Sequence, residues 1–119
     1  MVKFVRTEEM DWKQLTPLIK AKIVTGNHIT AQLVHLEKGT TMEVHQHTEE
    51  QLGFVLDGKL KFIVGPNHES HIVEAGSIFY FESNEIHGVG DTPEKTVVID
   101  IFGPVRKDYL HLAVDMTEG

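Results

Sequence analysis

The sequence predicts an all-β fold, an antiparallel sandwich or small barrel, and two observations support this prediction. After Pro17 the chain is a succession of short segments rich in β-branched and aromatic residues, among them "HITAQLVHLE", "QLGFVLDG", "KLKFIVG" and "TVVIDIFG". Turn-forming residues such as Asp57-Gly58 and Gly65-Pro66-Asn67 separate these segments at short, fairly regular intervals. We expect Asp57-Gly58 to form a two-residue hairpin turn.

The two ends of the chain depart from this pattern. Residues 4–6 are predicted to form a short strand, and residues 7–14 the one helical turn, with Thr7 as its N-cap. From Pro104 onward the β pattern stops, so 104–119 is expected to be a tail whose first half docks and whose last residues are loose. Without a linker or repeat, we expect a single domain over 1–119, with its barrel at about 20–103.

Composition limits the classes of function. The chain has 119 residues, no cysteine and a formal net charge of -7. An acidic chain without a basic cluster is a poor partner for nucleic acid or an anionic membrane, so neither is expected. The absence of cysteine excludes disulfides, thiolate metal sites and a cysteine nucleophile. No long apolar run or charged leader is seen, so we expect a cytoplasmic protein. An anionic substrate would need a local cationic group.

The stretch "EVHQHTEEQLGF" carries a candidate metal site. His45 and His47 are two residues apart, so on a strand both side chains project to the same face. Imidazole suits Zn, Cu, Fe and Ni, although the same pattern also fits two polar side chains on a solvated edge strand. The remaining histidines fit no ligand spacing with this pair and are not expected to bind metal; they are His28, His35, His68, His71 and His111.

The stretch "VVIDIFGPVRKDYL" carries a second signature. Asp100 and Phe102 share one face of the predicted strand, while Ile99 and Ile101 share the other. An acidic residue inside this apolar run lies either on a solvated face or on a face that lines the interior near the metal. In the second case Arg106 could reach over the mouth and pair with a substrate carboxylate.

The spacing of these residues resembles the two motifs of the cupin superfamily. The glycines and histidines of the first motif all stand at the expected spacing. The second motif keeps its first Gly and its His, but Glu82, Asn84 and Asp91 replace its Pro, Gly and Asn. The matching positions are Gly39, His45, His47, Gln51, Gly58, Gly76 and His87. The resemblance covers residues 30–103. It implies a double-stranded β-helix, a jelly-roll-like small barrel, around one divalent ion (Ni, Fe, Mn or Zn). The implied ligands are His45, His47, Gln51 and His87.

Trp12 and an Asp-x-Phe-x-x-x-Arg tail extend the similarity to the KdgF-type cupins of pectin and alginate breakdown. This resemblance implies conversion of a 4,5-unsaturated uronate monosaccharide, an anionic sugar acid, to its linear keto form. Asp100, Phe102 and Arg106 would be the active-site residues, with Asp100 moving a proton and Arg106 holding the carboxylate. A neutral Gln51 leaves the ion its full charge, which favours Lewis-acid chemistry.

Other functions fit the same ligand set. The alternatives are another non-redox cupin enzyme, such as a polyketide cyclase or sugar isomerase, then a dioxygenase, or a small-ligand sensor without turnover. We also expect a homodimer, because a small barrel has exposed sheet edges to cover.

Overall fold

The computed structural model describes residues 1–118, so that Gly119, the last residue of the predicted tail, lies outside the described residues. Within them the chain is almost entirely β, which confirms the predicted class. There are two 3-10 helices, Thr7–Glu9 and Lys107–Leu112. The strands are β1 (Lys13–Thr16), β2 (Ile19–Thr25), β3 (Thr30–Leu36), β4 (Met42–His45), β5 (Glu50–Asp57), β6 (Lys59–Val64), β7 (Glu69–Glu74), β8 (Ile78–Phe81), β9 (His87–Val89), β10 (Thr96–Gly103) and β11 (Val114–Asp115).

The strands form two sheets. The larger has the order β1-β2-β3-β10-β5-β8, with β11 joining β2 in parallel; the smaller has the order β4-β9-β6-β7. The predicted jelly-roll type is confirmed, but the predicted closure into a barrel is wrong. In residues 1–118 backbone pairing stops at the edges of each sheet, and no strand pair joins the two. The sheets are held together by the side chains between them.

The core follows from the two-residue period of the central strands. In β2, β3 and β10 every second side chain is buried, because successive side chains point to opposite faces. Most inward positions are apolar, including Ile23, Val34 and Val98, and each such side chain contributes about 1.5–3 kcal/mol when fully buried. Asp100 and Phe102 also take inward positions on β10, which lies between β3 and β5.

The Asp57-Gly58 prediction is wrong in one respect. These residues join β5 of the larger sheet to β6 of the smaller one, so the chain changes sheets here and forms no hairpin. Gly58 has φ +84, and a Cβ at this position would clash with the backbone oxygen of Lys95. Glycine is therefore needed for this close approach. Gly65-Pro66-Asn67, by contrast, connects the antiparallel pair β6 and β7.

The ends of the chain also differ from expectation. Residues 4–6 form no strand, and the first 3-10 helix has Arg6 rather than Thr7 at its N-cap. The tail docks on the larger sheet through the second 3-10 helix and through β11, which pairs Val114 with Val24. The tail is therefore docked as far as Asp115, beyond the first half that was expected to dock. No helix among residues 1–118 is long and apolar enough to cross a membrane. The single-domain organisation stays a prediction.

Gly53 gives a test of the packing beneath the site. A Cβ at Gly53 would clash with the ring of Phe79, which packs against Phe62 at a centroid distance of 4.7 Å. Gly53→Ala should therefore lower the free energy of unfolding by roughly 1–3 kcal/mol, measured by urea denaturation. The control is Gly103→Ala, whose added Cβ would meet only the His28 backbone oxygen at 3.9 Å. Equal stability of the two variants would contradict the packing described.

Candidate functional site

The sandwich encloses a cavity of about 470 Å³ at one end, a size typical of small-molecule sites. Both sheets and the second 3-10 helix line it. Its walls are largely apolar and also carry polar side chains. These polar lining residues include Gln14, Gln32, His45, Gln51, His87, Asp100, Arg106 and Asp108.

Three histidines lie together, and two of them, His45 and His87, line the cavity. His45 ends β4 and His87 begins β9, where the two residues are direct cross-strand partners. His47 follows just beyond β4. One ring nitrogen from each histidine lies within 4.8 Å of the others. The predicted pair and the distant third histidine are therefore close enough to hold one metal ion.

The hydrogen bonds of the three rings fit metal binding. The Nδ1 atoms of His45, His47 and His87 contact the backbone oxygens two residues away at 2.9, 2.9 and 2.7 Å. A carbonyl oxygen only accepts, so each Nδ1 carries the proton and each Nε2 keeps a free lone pair. The Nε2 of His47 is buried and has no hydrogen-bond partner. A metal ion would satisfy it.

The protonation states agree with this arrangement. Burial lowers the pKa of His87 to about 4. Burial, followed by the charge of Arg106, lowers the pKa of His47. Both rings are therefore neutral at neutral pH, which is the form that binds metal.

Gln51 is held by Asp100. The Gln51 amide nitrogen donates to Asp100 Oδ1 at 3.0 Å, and the Gln32 amide nitrogen donates to Asp100 Oδ2 at 3.2 Å. Because the carboxylate accepts hydrogen bonds, the nitrogen of each amide, and not its oxygen, faces Asp100. The amide oxygen of Gln51 is left free of this contact, and oxygen is the atom with which an amide binds a divalent ion.

Asp100 is itself a perturbed acid. It is 9% exposed and lies on the inward face of β10, so the alternative of a solvated face is wrong. Burial raises the pKa of Asp100 to about 6, although the hydrogen bonds from Gln32 and Gln51 and the charge of Arg106 oppose the shift. A carboxyl group with such a pKa can both release and accept a proton near neutral pH.

Arg106 lies deeper than expected. Its guanidinium carbon lies 4.7 and 4.5 Å from the ring centroids of Phe102 and Tyr109, and its side chain is 10% exposed. Asp108 accepts hydrogen bonds from Arg106 Nε at 3.0 Å and from a terminal nitrogen at 2.7 Å. The remaining N–H groups are left for a ligand, because a guanidinium carries five.

Three residues of this site were missed by sequence reasoning. Gln32 lies directly opposite Asp100 across β3 and β10, but a glutamine within a strand carries no signal of its own. Asp108 and Tyr109 follow Arg106 on a segment predicted to be tail. The usable signal was the sequence "RKDY" itself, a cation followed at once by an acid and an aromatic residue.

Trp12 lies apart from the cavity. Its ring packs against His35 at 4.3 Å between centroids, with the amino groups of Lys20 and Lys22 over it at 4.7 and 4.5 Å. It is absent from the cavity lining among the described residues. His68 and His71 are exposed, as expected.

Comparison with known proteins agrees with this fold. Residues 32–102 match the family model described as the cupin domain. The chain is 31% identical over 112 residues to the pectin degradation protein KdgF of Dickeya dadantii (strain 3937), covering 92% of this chain and 100% of that protein.

Solved structures extend the comparison. The structure of KdgF from Halomonas sp. matches with a TM-score of 0.81 and 29% identity, covering 91% of this chain and 100% of the other. A RmlC-like cupin from Shewanella frigidimarina NCIMB 400 also reaches a TM-score of 0.81 at 23% identity, covering 90% and 95% of the two chains, and supports the fold alone. With this sequence match over more than half of its length, the chain belongs to the cupin domain family.

Proposed function

We propose that the protein is a metal-dependent cupin enzyme that converts a 4,5-unsaturated uronate monosaccharide to its linear keto form. The observation that carries the proposal is the buried carboxyl group of Asp100, which contacts Gln51 in the same cavity as His45 and His87. The similarity to two KdgF proteins supports the choice of substrate class. The cytoplasm remains the predicted location and a homodimer the proposed assembly.

The electrostatics of the cavity favour an anionic substrate. The chain as a whole carries a net charge of -7, yet Arg106 places a buried cation in the cavity wall. Asp108 neutralises part of this charge from a position at which its own side chain is 58% exposed. A substrate carboxylate can therefore replace Asp108 as a partner of the guanidinium, or bind the N–H groups that Asp108 leaves free.

The proposed reaction is an isomerisation and needs no oxidant. The anomeric hydroxyl loses its proton and becomes the C1 aldehyde oxygen as the ring bond between C1 and O5 breaks. The released enolate becomes a ketone at C5 when C4, at the former double bond, gains a proton. Asp100 is the group that accepts and delivers protons, since it is the one carboxyl group buried in the described part of the cavity. Phe102 and Tyr109 pack against the Arg106 guanidinium and help to position it.

A divalent ion held by His45, His47, Gln51 and His87 would supply Lewis-acid polarisation of a substrate oxygen. Gln32 would act as a positioning residue for Asp100, because its amide nitrogen donates a hydrogen bond to Asp100 Oδ2.

Metal content tests the ligand set without reference to activity. Protein purified without a histidine tag should contain about one divalent ion per chain by elemental analysis. His47→Ala should lose most of it, because His47 contributes a buried, unpartnered Nε2. The matched control is His71→Ala, which removes an exposed histidine of β7 and should keep wild-type metal content. Equal occupancy in the two variants would exclude His47 as a ligand.

Gln51→Glu tests why the fourth ligand is neutral. The new carboxylate would face Asp100 at hydrogen-bond distance and could not donate to it, so one of the two groups must hold a proton. We expect metal to remain bound and kcat to fall, both because Asp100 is disturbed and because the ion loses charge. Gln46→Glu is the control, since Gln46 is exposed and bonds only to the backbone oxygen of Asn84. Wild-type kcat in Gln51→Glu would show that the neutral ligand has no chemical role.

Substitutions of Asp100 and Arg106 should separate chemistry from binding. Asp100→Asn keeps the shape but removes the proton carrier, so kcat on a 4,5-unsaturated galacturonate or mannuronate should fall at least about 100-fold with KM little changed. Arg106→Ala should chiefly raise KM, and Arg106→Lys should recover only part of the loss, because the bidentate fork is absent.

Asp108→Asn should change KM in the opposite direction to the Arg106 variants. It removes the carboxylate that competes for the guanidinium, so KM for the anionic substrate should fall. A KM that rises instead would contradict carboxylate binding at Arg106. If the wild type binds a uronate without converting it, the protein is a sensor and the proposed reaction is wrong; turnover of a neutral sugar or polyketide alone would favour the other cupin chemistries.

A further inference from the structure

Gln32 is a polar side chain at a core position of β3. It is 7% exposed and takes an inward position, with Ile23 of β2 and Asp100 of β10 as its cross-strand partners. Glutamine is mostly found at protein surfaces, and buried polar groups are nearly always hydrogen-bonded. The hydrogen bonds of this side chain therefore indicate whether it serves the fold alone.

One end of the Gln32 amide has a partner and the other end has none. The amide nitrogen donates to Asp100 Oδ2 at 3.2 Å, whereas the amide oxygen is buried and accepts no hydrogen bond from residues 1–118. A reversed amide would not solve this, because it would set a carbonyl oxygen against a carboxylate that only accepts. The Gln32 oxygen is thus an unpaired buried acceptor, which costs stability unless a donor reaches it.

The surrounding side chains do not supply that donor. Ile23 and Val34, which share the inward face with Gln32, are apolar. The hydroxyl oxygen of Thr30, two residues earlier on that face, accepts a hydrogen bond from the Arg106 backbone nitrogen at 2.9 Å, and the hydroxyl makes no bond to the Gln32 oxygen. Gln32 also lines the cavity. A molecule bound in the cavity is therefore the source from which the missing donor can come.

We propose that Gln32 determines substrate specificity: its amide oxygen accepts a hydrogen bond from a hydroxyl group of the bound sugar acid, while its amide nitrogen holds Asp100. The inference rests on the proposed function, since it assumes the same substrate class in the same cavity. A carbonyl oxygen pairs with an O–H group, is left unpaired by a C–H group and repels a carboxylate. The substrate carboxylate is thus directed to Arg106, and a hydroxyl group to Gln32.

The chemistry of the substrate limits which hydroxyl group this is. In a 4,5-unsaturated uronate monosaccharide, C4 and C5 carry no hydroxyl group, and the C1 hydroxyl is consumed in the proposed reaction. The remaining hydroxyl groups are on C2, which is bonded to C1, and on C3, which is bonded to C4. Because one amide contacts both the recognised hydroxyl and Asp100, it holds a reacting carbon at a fixed place relative to the acid.

The test removes the hydroxyl group from the substrate and the amide from the protein, separately and together. A 4,5-unsaturated uronate is compared with its 2-deoxy and 3-deoxy forms. In the wild type, loss of the recognised hydroxyl should lower kcat/KM at least about tenfold, because the Gln32 oxygen is left unpaired. In Gln32→Met, which has similar length and no amide, the same loss should cost at most about threefold.

Two further variants keep the result specific to the amide oxygen. Gln32→Glu retains an acceptor oxygen but loses the N–H group that bonds to Asp100. Its kcat should fall on all three compounds, while the penalty for the missing hydroxyl stays at least about tenfold. Gln46→Met changes an exposed glutamine that bonds to the Asn84 backbone oxygen, and it should match the wild type on all three compounds. Circular dichroism establishes that each variant is folded.

The outcomes separate this inference from the proposed reaction. Turnover in which neither deoxy form is penalised, or in which wild type and Gln32→Met show the same penalty, would overturn the hydroxyl contact and leave the reaction standing. Gln32 would then only position Asp100. If the wild type binds the parent compound without converting it, dissociation constants from calorimetry replace kcat/KM. A penalty of at least about tenfold that disappears in Gln32→Met would then support the contact although the reaction is wrong. A wild type that neither binds nor converts the parent compound would overturn both.

Discussion

The site depends on a single buried carboxylate that accepts two amide hydrogen bonds. Asp100 receives one N–H from Gln32 and one from Gln51, at 3.2 and 3.0 Å. Because a carboxylate only accepts, it dictates that both amides present their nitrogens to it. Gln51 then has its oxygen left for a metal ion. The orientation of the fourth ligand is thus determined by the acid that is proposed to carry the proton.

This arrangement accounts for the neutral side chain at position 51. A glutamate there could bind a metal, but it would stand against Asp100 with no hydrogen to donate, and two carboxylates at that distance cannot both be ionised. The pair would share a proton, and Asp100 would no longer be free to accept one. Glutamine binds through oxygen on one side and donates through nitrogen on the other, which a carboxylate cannot do without a proton. The amide therefore lets the metal site and the acid lie in contact.

Sequence reasoning was most successful where a residue's position on a strand decides its direction. The two-residue period of β10 predicted that Asp100 and Phe102 share a face, and they do. It failed where contacts between distant parts of the chain determine a residue's role. The Asp57-Gly58 pair predicted a hairpin, yet Gly58 lies where the chain passes from one sheet to the other, close to the Lys95 backbone. Gln32 could not be found, because its role comes from lying opposite Asp100 on a strand 68 residues away.

The position of the proposed acid depends on the register of β10. On β10 the inward side chains Asp100 and Phe102 alternate with the outward side chains Ile99 and Ile101. Backbone pairing to β3 and β5 fixes the register of all four at once, so a shift by one residue would turn Asp100 to the outward face and away from Gln32 and Gln51. Such a shift would also expose Val98 and Phe102, which are buried on the inward face. Burial of these apolar neighbours therefore helps to hold the acid in place.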